Sequence, residues 1–262
     1  SVHTIASGPT SFVTERISAP GGEFVQWSRD GGSLTWSVGP RFMRYTIDDS
    51  LGSATNKPTQ IADLSLRVES DRPEGLVAFI NARVITMNEA RDTLESGVVV
   101  VRENRIESVG RTGEIVIPSE AKVVDLAGKT LLPGYIDAHA HGPYARDDII
   151  PQNNWSLLAH LALGVTTVHN PSSRAAQVFP AAEYQRAGVT LGPRIFSTGE
   201  IIYGAKSTGF DPIESLDDAK TVVDRLKAQG AISVKNYNQP RRAQRQMVIE
   251  AARDAGMLVV AE

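Results

Sequence analysis

Only five histidines occur in the 262 residues, and two of them stand one residue apart at the end of LLPGYIDAHAH, Leu131 to His141. Side chains alternate across a strand, so an extended run puts Asp137, His139 and His141 on one side. Two imidazoles about one pleat apart can share a cation, and imidazole suits zinc and similar divalent metals. Asp137 would then orient a ligand ring or pack as a hydrogen-bonded acid. The competing reading is a pair of polar residues where a strand meets water. A second apolar run, ISVKNYN, carries Lys235 on the same face as Ser233 and Tyr237, and a third, MLVVAE, closes on Glu262. Cysteine is absent, which excludes disulfides, thiolate zinc sites and a cysteine nucleophile together.

Three regions of different rhythm must position these groups. Residues 1–65 read as strands: EFVQWS and SLTWSVG flank RDGG, a hairpin with Asp-Gly turn chemistry, and RFMRYTI supplies a third strand before the linker-like DDSLGSATNKP. Residues 66–129 alternate apolar and polar positions between Gly, Asn and Asp turns, as expected of a small antiparallel β-sandwich. Residues 130–262 alternate strands with helices and end on a fifth strand, which implies a parallel α/β sheet, open or rolled into a (β/α)8 barrel. Gly164, Gly230 and Gly256 stand where left-handed C-terminal caps belong. Pro180 predicts that the second helix starts at or after that residue. A doubly wound nucleotide-binding sheet is the alternative, but no GxGxxG follows the first strand.

Net charge is −3, so no basic field recruits nucleic acid or an anionic membrane, and no apolar run reaches the roughly 20 residues of a bilayer span. The N-terminus shows no signal peptide, and the compartment stays open between cytoplasm and periplasm.

GKTLLPGYIDAHAH, preceded by the β-rich region containing RENRIESVG and followed by LALGVTTVHNPSS, resembles the metal-dependent amidohydrolase superfamily. The likeness covers residues 75 to 262. It implies a β-sandwich ahead of a (β/α)8 barrel whose first strand ends in HxH, with His139 and His141 as ligands to one or two divalent metals, zinc in the first instance. It also implies that Lys235, at the end of the fourth barrel strand, is carbamylated and bridges two metals; the competing reading is a strand-end lysine reaching into water. Many relatives carry a histidine near Glu262. Here the glutamate is either an oxygen ligand in its place or an ordinary terminal residue. One departure is Asn104, where the family often has Gly in a tight turn; Asn tolerates the same backbone. GGEFVQWSRDGGSLTWSVG resembles one repeat of a TolB-type β-propeller. The remaining metal ligand and the catalytic aspartate are expected beyond residue 262, on strands supplied by further chain or by another chain, such as a homo-oligomer partner. This piece by itself is therefore expected to be inactive.

Tyr144 and Arg146 follow the HxH in the first β-α loop, where substrate contacts gather; Arg146 suits a substrate carboxylate. His169, at the end of the second strand, reads as a pocket or supporting residue, and Tyr203 and Lys206 stand in a Gly-rich loop that could close as a lid. His160 reads as packing or surface. The function implied is hydrolysis of an amide or cyclic amide C–N bond in a small or dipeptide-like substrate. The competing class is a non-catalytic binding module with a degenerate barrel.

Overall fold

The computed structural model describes residues 16–47, 57–147, 149–204, 210 and 212–262. The RDGG turn forms as its chemistry predicts. β1 (Glu23–Trp27) and β2 (Ser33–Val38) pair antiparallel, and the Asp30 carboxylate accepts hydrogen bonds from the Gly32 amide and the Ser28 hydroxyl. β3 (Arg41–Thr46) continues the meander, and β4 (Thr59–Asp63) completes it in the order β1-β2-β3-β4. The sequence reading missed β4: TQIAD has no apolar alternation and stays largely exposed, so only pairing to β3 makes it a strand. Residues 48–56 of the expected linker lie outside the described residues. Trp36, Val38 and Tyr45 fill the buried face of the meander. At its edge, Gln229 donates to Glu23 at 3.1 Å, joining this sheet to the helical region.

The second sheet consists of β5 (Leu76–Ile85), β6 (Thr93–Arg102), β7 (Arg105–Arg111), β8 (Lys122–Asp125) and β9 (Thr130–Leu131). The expectation of a purely antiparallel sandwich is corrected: β8 and β9 both run parallel to β5. Parallel pairing needs a crossover, and Ile115 and Ile117 provide its apolar underside. They pack on the face made by Leu76, Ala78, Val98 and Val100 as the chain passes from β7 to β8. The opposite face gathers Ala82, Val84 and Val99. β5 changes face because its register slips between Phe79 and Ala82, where Asn81 takes φ 58°. One extra residue in a strand inverts everything after it.

From residue 135 strands and helices alternate: β10 (Tyr135–Asp137), α1 (Trp155–Ala162), β11 (Val165–Asn170), α2 (Ala175–Arg186), β12 (Arg194–Ser197), β13 (Ile202–Tyr203), α3 (Leu216–Gln229), β14 (Ser233–Tyr237), α4 (Arg242–Asp254) and β15 (Leu258–Ala261). All pairings here are parallel. The result is a mixed α/β fold with its main core between these strands and helices, around Val168, Val178, Phe179, Leu226, Val234 and Val248. Gly164, Gly230 and Gly256 all take positive φ at the helix ends, as predicted. α3 opens on a capping box between Ser215 and Asp218. No described helix is long and apolar enough to cross a membrane.

Two expectations change in this region. α2 begins at Ala175, five residues ahead of Pro180, because the proline forgoes one early intrahelical bond while Val178, Phe179, Ala181 and Ala182 bury around it. The five strands read from the sequence are six, in two three-stranded sheets, β10-β11-β12 and β13-β14-β15. The third strand breaks after Ser197. Its first part pairs with β11, its second with β14. At the break Gly199 takes φ 66°, a backbone conformation that favours glycine, and a Cβ there would press on the Phe179 ring at 3.2 Å.

Candidate metal centre

β10 stops at Asp137, so strand alternation does not bring the histidines together; a turn does. The Asp137 carboxylate accepts the His139 amide at 3.0 Å, curling the chain directly after the strand. The Ala140 amide then donates to the His169 carbonyl at 3.0 Å, which resumes the attachment to β11. The His139 and His141 rings end 5.2 Å apart between centroids at 73°, both on exposed residues. Two imidazoles whose nitrogens each lie about 2 Å from a common ion have ring centres roughly 5 Å apart. The pair fits a shared divalent cation.

Lys235, expected at a strand end, stands in the middle of β14. It is 4% exposed, its ammonium lies 4.8 Å from the centre of the Tyr237 ring, and it donates to Glu262 at 2.5 Å. Glu262 follows β15, and its backbone is held too: its amide donates to the Asn236 carbonyl, and its own carbonyl accepts from Asn238. The hydrogen bond from Lys235 holds the Glu262 carboxyl below the usual carboxylate range; burial opposes this, and the charges of Lys235, His139 and His141 add to it.

Among the described residues no three His, Asp or Glu side chains gather as a ligand cluster. What the described residues offer is a pair of imidazoles and, separately, a carboxylate already paired with an amine. An ammonium cannot ligate a cation. A carbamate on the same nitrogen would replace a positive charge by one negative charge shared over two oxygens.

The other predicted positions divide. His169 is half-buried, with Nε2 at 2.8 Å from the Ser233 hydroxyl and Nδ1 at 3.3 Å from the Ala138 carbonyl. Burial pushes its pKa down; the bond to Ala138 opposes this, and His139 adds to the lowering. Tyr144, expected as a substrate contact, belongs to the main core. It is 3% exposed, accepts from Asn170 at 3.2 Å, and burial pushes its phenol pKa up. Arg146 is exposed in a short turn closed by mutual backbone bonds with Ile149. Tyr203 stacks on Tyr237 at 5.8 Å and meets Phe210 at 5.4 Å, an aromatic group beside Lys235 that sequence reading did not assemble. Lys206 lies outside the described residues. His160 sits behind the site, with Nε2 at 3.9 Å from Asp137 and Nδ1 at 2.7 Å from the Ser156 carbonyl. Asn154, also missed, caps α1 and donates to the Pro143 carbonyl at 2.8 Å, tying the histidine loop to the helix. An Asn directly before a helical run was the available signal.

No family model matches the chain. Over 64 residues, 24% of its length, it is 36% identical to the 5-methylthioadenosine/S-adenosylhomocysteine deaminases of Bacillus cereus and Bacillus thuringiensis subsp. konkukian, and the match spans 14% of those proteins. Among solved structures, a molinate hydrolase superposes with a TM-score of 0.58 at 17% identity, covering 73% of this chain and 54% of that one. A Xaa-Pro dipeptidase with methionine bound in its active site gives 0.57 at 18%, covering 71% and 56%. Phenylurea hydrolase B gives 0.56 at 20%, covering 72% and 55%. The chain spans a little over half the length of these structures. What they share with it is the fold.

Proposed function

We propose that the chain forms part of a metal-dependent hydrolase of the amidohydrolase superfamily, acting on an amide or cyclic amide C–N bond. The carrying observation is the His139–His141 pair just past the C-terminal end of β10, together with the Lys235–Glu262 pair on the parallel strands β14 and β15; C-terminal strand ends are where parallel α/β folds build their sites. In this reading β10 to β15 are an arc of a (β/α)8 barrel, β5 to β9 the composite β-domain before it, and β1 to β4 a propeller-like blade. Fold likeness to a molinate hydrolase, a Xaa-Pro dipeptidase and a phenylurea hydrolase, and local identity to deaminases, support it.

His139 and His141 would hold a first zinc. Lys235, carbamylated, would hold it together with a second, and Glu262 would be released from its pairing to serve as an oxygen ligand. A divalent cation so held supplies Lewis acidity, lowering the pKa of a water and polarising the scissile carbonyl. The Tyr203–Tyr237–Phe210 group would wall one side of the site, and Arg146 would meet a substrate carboxylate, which suits a dipeptide-like substrate.

The test is metal content and hydrolysis by the intact protein. One to two equivalents of zinc, lost in His139→Ala/His141→Ala, together with turnover of Xaa-Pro dipeptides or cyclic amides, support the proposal. An intact protein that takes up no zinc and hydrolyses neither substrate class overturns it.

A further inference from the structure

His169 holds the chain on both sides of His139. Its carbonyl accepts the Ala140 amide at 3.0 Å, and its ring Nδ1 lies 3.3 Å from the Ala138 carbonyl. The other ring nitrogen lies 2.8 Å from the hydroxyl of Ser233, a residue 2% exposed on β14 and two positions before Lys235. A carbonyl only accepts, so Nδ1 carries a proton and donates to Ala138, while Nε2 of the neutral ring accepts from the Ser233 hydroxyl. The chain Ser233–His169–Ala138 therefore spans from the strand of the lysine to the turn of the histidine pair, across β11.

We infer that His169 is a positioning residue: through Ser233 it sets the Ala138–Ala140 turn against β14, and so fixes the His139 ring relative to Lys235. Its ring nitrogens are both engaged, so it contacts neither metal nor substrate. Supporting groups of this kind matter because a metal ligand held in the right rotamer loses less freedom on binding, and removing one costs about ten- to a hundredfold in metal affinity. The inference rests on the metal-site reading above.

Zinc affinity is measured on the intact protein by competition with a chromophoric chelator, alongside the thermal midpoint of the zinc-free form. His169→Ala is expected to weaken zinc binding about ten- to a hundredfold. His169→Asn, whose amide can stand in for the Nδ1 donor, is expected to recover most of that affinity, and Ser233→Ala, which frees the ring, to fall between. Nitrogen NMR of the zinc-free wild type is expected to show His169 protonated at Nδ1, the opposite of the tautomer that free imidazole side chains favour. Variants that lower the zinc-free midpoint but leave zinc affinity within about twofold assign His169 to folding alone and overturn the inference, as does an Nε2–H tautomer. A wild type that binds no zinc overturns the metal reading itself, which separates the two failures.

Discussion

Asn154 joins two parts of the site scaffold, and its removal has a magnitude that can be built from the contacts. Its side-chain oxygen accepts from the amides of Ser156 at 3.0 Å and Leu157 at 3.4 Å, capping α1, while its amide donates to the Pro143 carbonyl at 2.8 Å, two residues after His141. The residue is 6% exposed. Asn154→Ala removes the cap, about 1 kcal/mol, and strips Pro143 of its donor, about 1–2 kcal/mol where water reaches the carbonyl only in part. The expected loss is about 2–3 kcal/mol, or roughly 1–1.5 M in urea midpoint for a slope near 2 kcal/mol per molar. Asn154→Asp keeps the cap oxygen, gains from a negative charge at a helix N-terminus and loses only the donor, so it falls between wild type and alanine. All four described helices lie in this region, so helical ellipticity during urea unfolding follows it. An alanine variant within about 0.5 kcal/mol of wild type, a surface-substitution value, would refute the argument that this side chain braces the histidine loop.

Leu226→Ala truncates a side chain with no exposed surface in the main core and is expected to cost about 2–5 kcal/mol in the same assay; a loss below about 1 kcal/mol would mean that the core collapses around the cavity. Glu23 has its pKa raised, by burial first and then by Glu200, against the opposing pull of Arg225, Gln229 and Arg174. A raised carboxyl pKa contributes stability that is full below the unfolded value and disappears as pH rises through the folded one, so charged Glu23 weakens the fold at pH 7. Glu23→Gln keeps the acceptor for Gln229 and is expected to melt higher than wild type at pH 7, with the advantage shrinking toward pH 4; an advantage that grows on acidification contradicts the sign. Lys235, loaded with zinc in ¹³C-bicarbonate, is expected to give a carbamate carbon resonance that Lys235→Arg lacks, and a resonance unchanged by that substitution assigns it elsewhere.

Much of the architecture was legible because it is written locally. The Asp-Gly turn, the Gly stops at 164, 230 and 256 and the strand–helix alternation each depend on residues within one turn or one pleat of each other. β4 was not legible, since its exposed TQIAD becomes a strand only by pairing with β3. Nor was the start of α2: Pro180 is a local stop signal, overridden by burial of four neighbouring side chains. Nor was the burial of Tyr144, read as a substrate contact because its loop follows the histidines: its partner Asn170 comes from another strand.

The sequence alone determined the chemistry available: two imidazoles one residue apart, a lysine within one apolar strand, a glutamate closing another, and no thiol to compete with them. Residue types and short spacings are properties of the chain, and they survive any fold. Only the tertiary structure decided that Asp137 turns the chain rather than extending it, that Lys235 meets Glu262, and that His169 spans from Ser233 to the histidine turn. The last two contacts join residues far apart in sequence, and what brings them within hydrogen-bonding distance is the parallel stacking of the strands, sealed by helices whose apolar faces have nowhere else to bury.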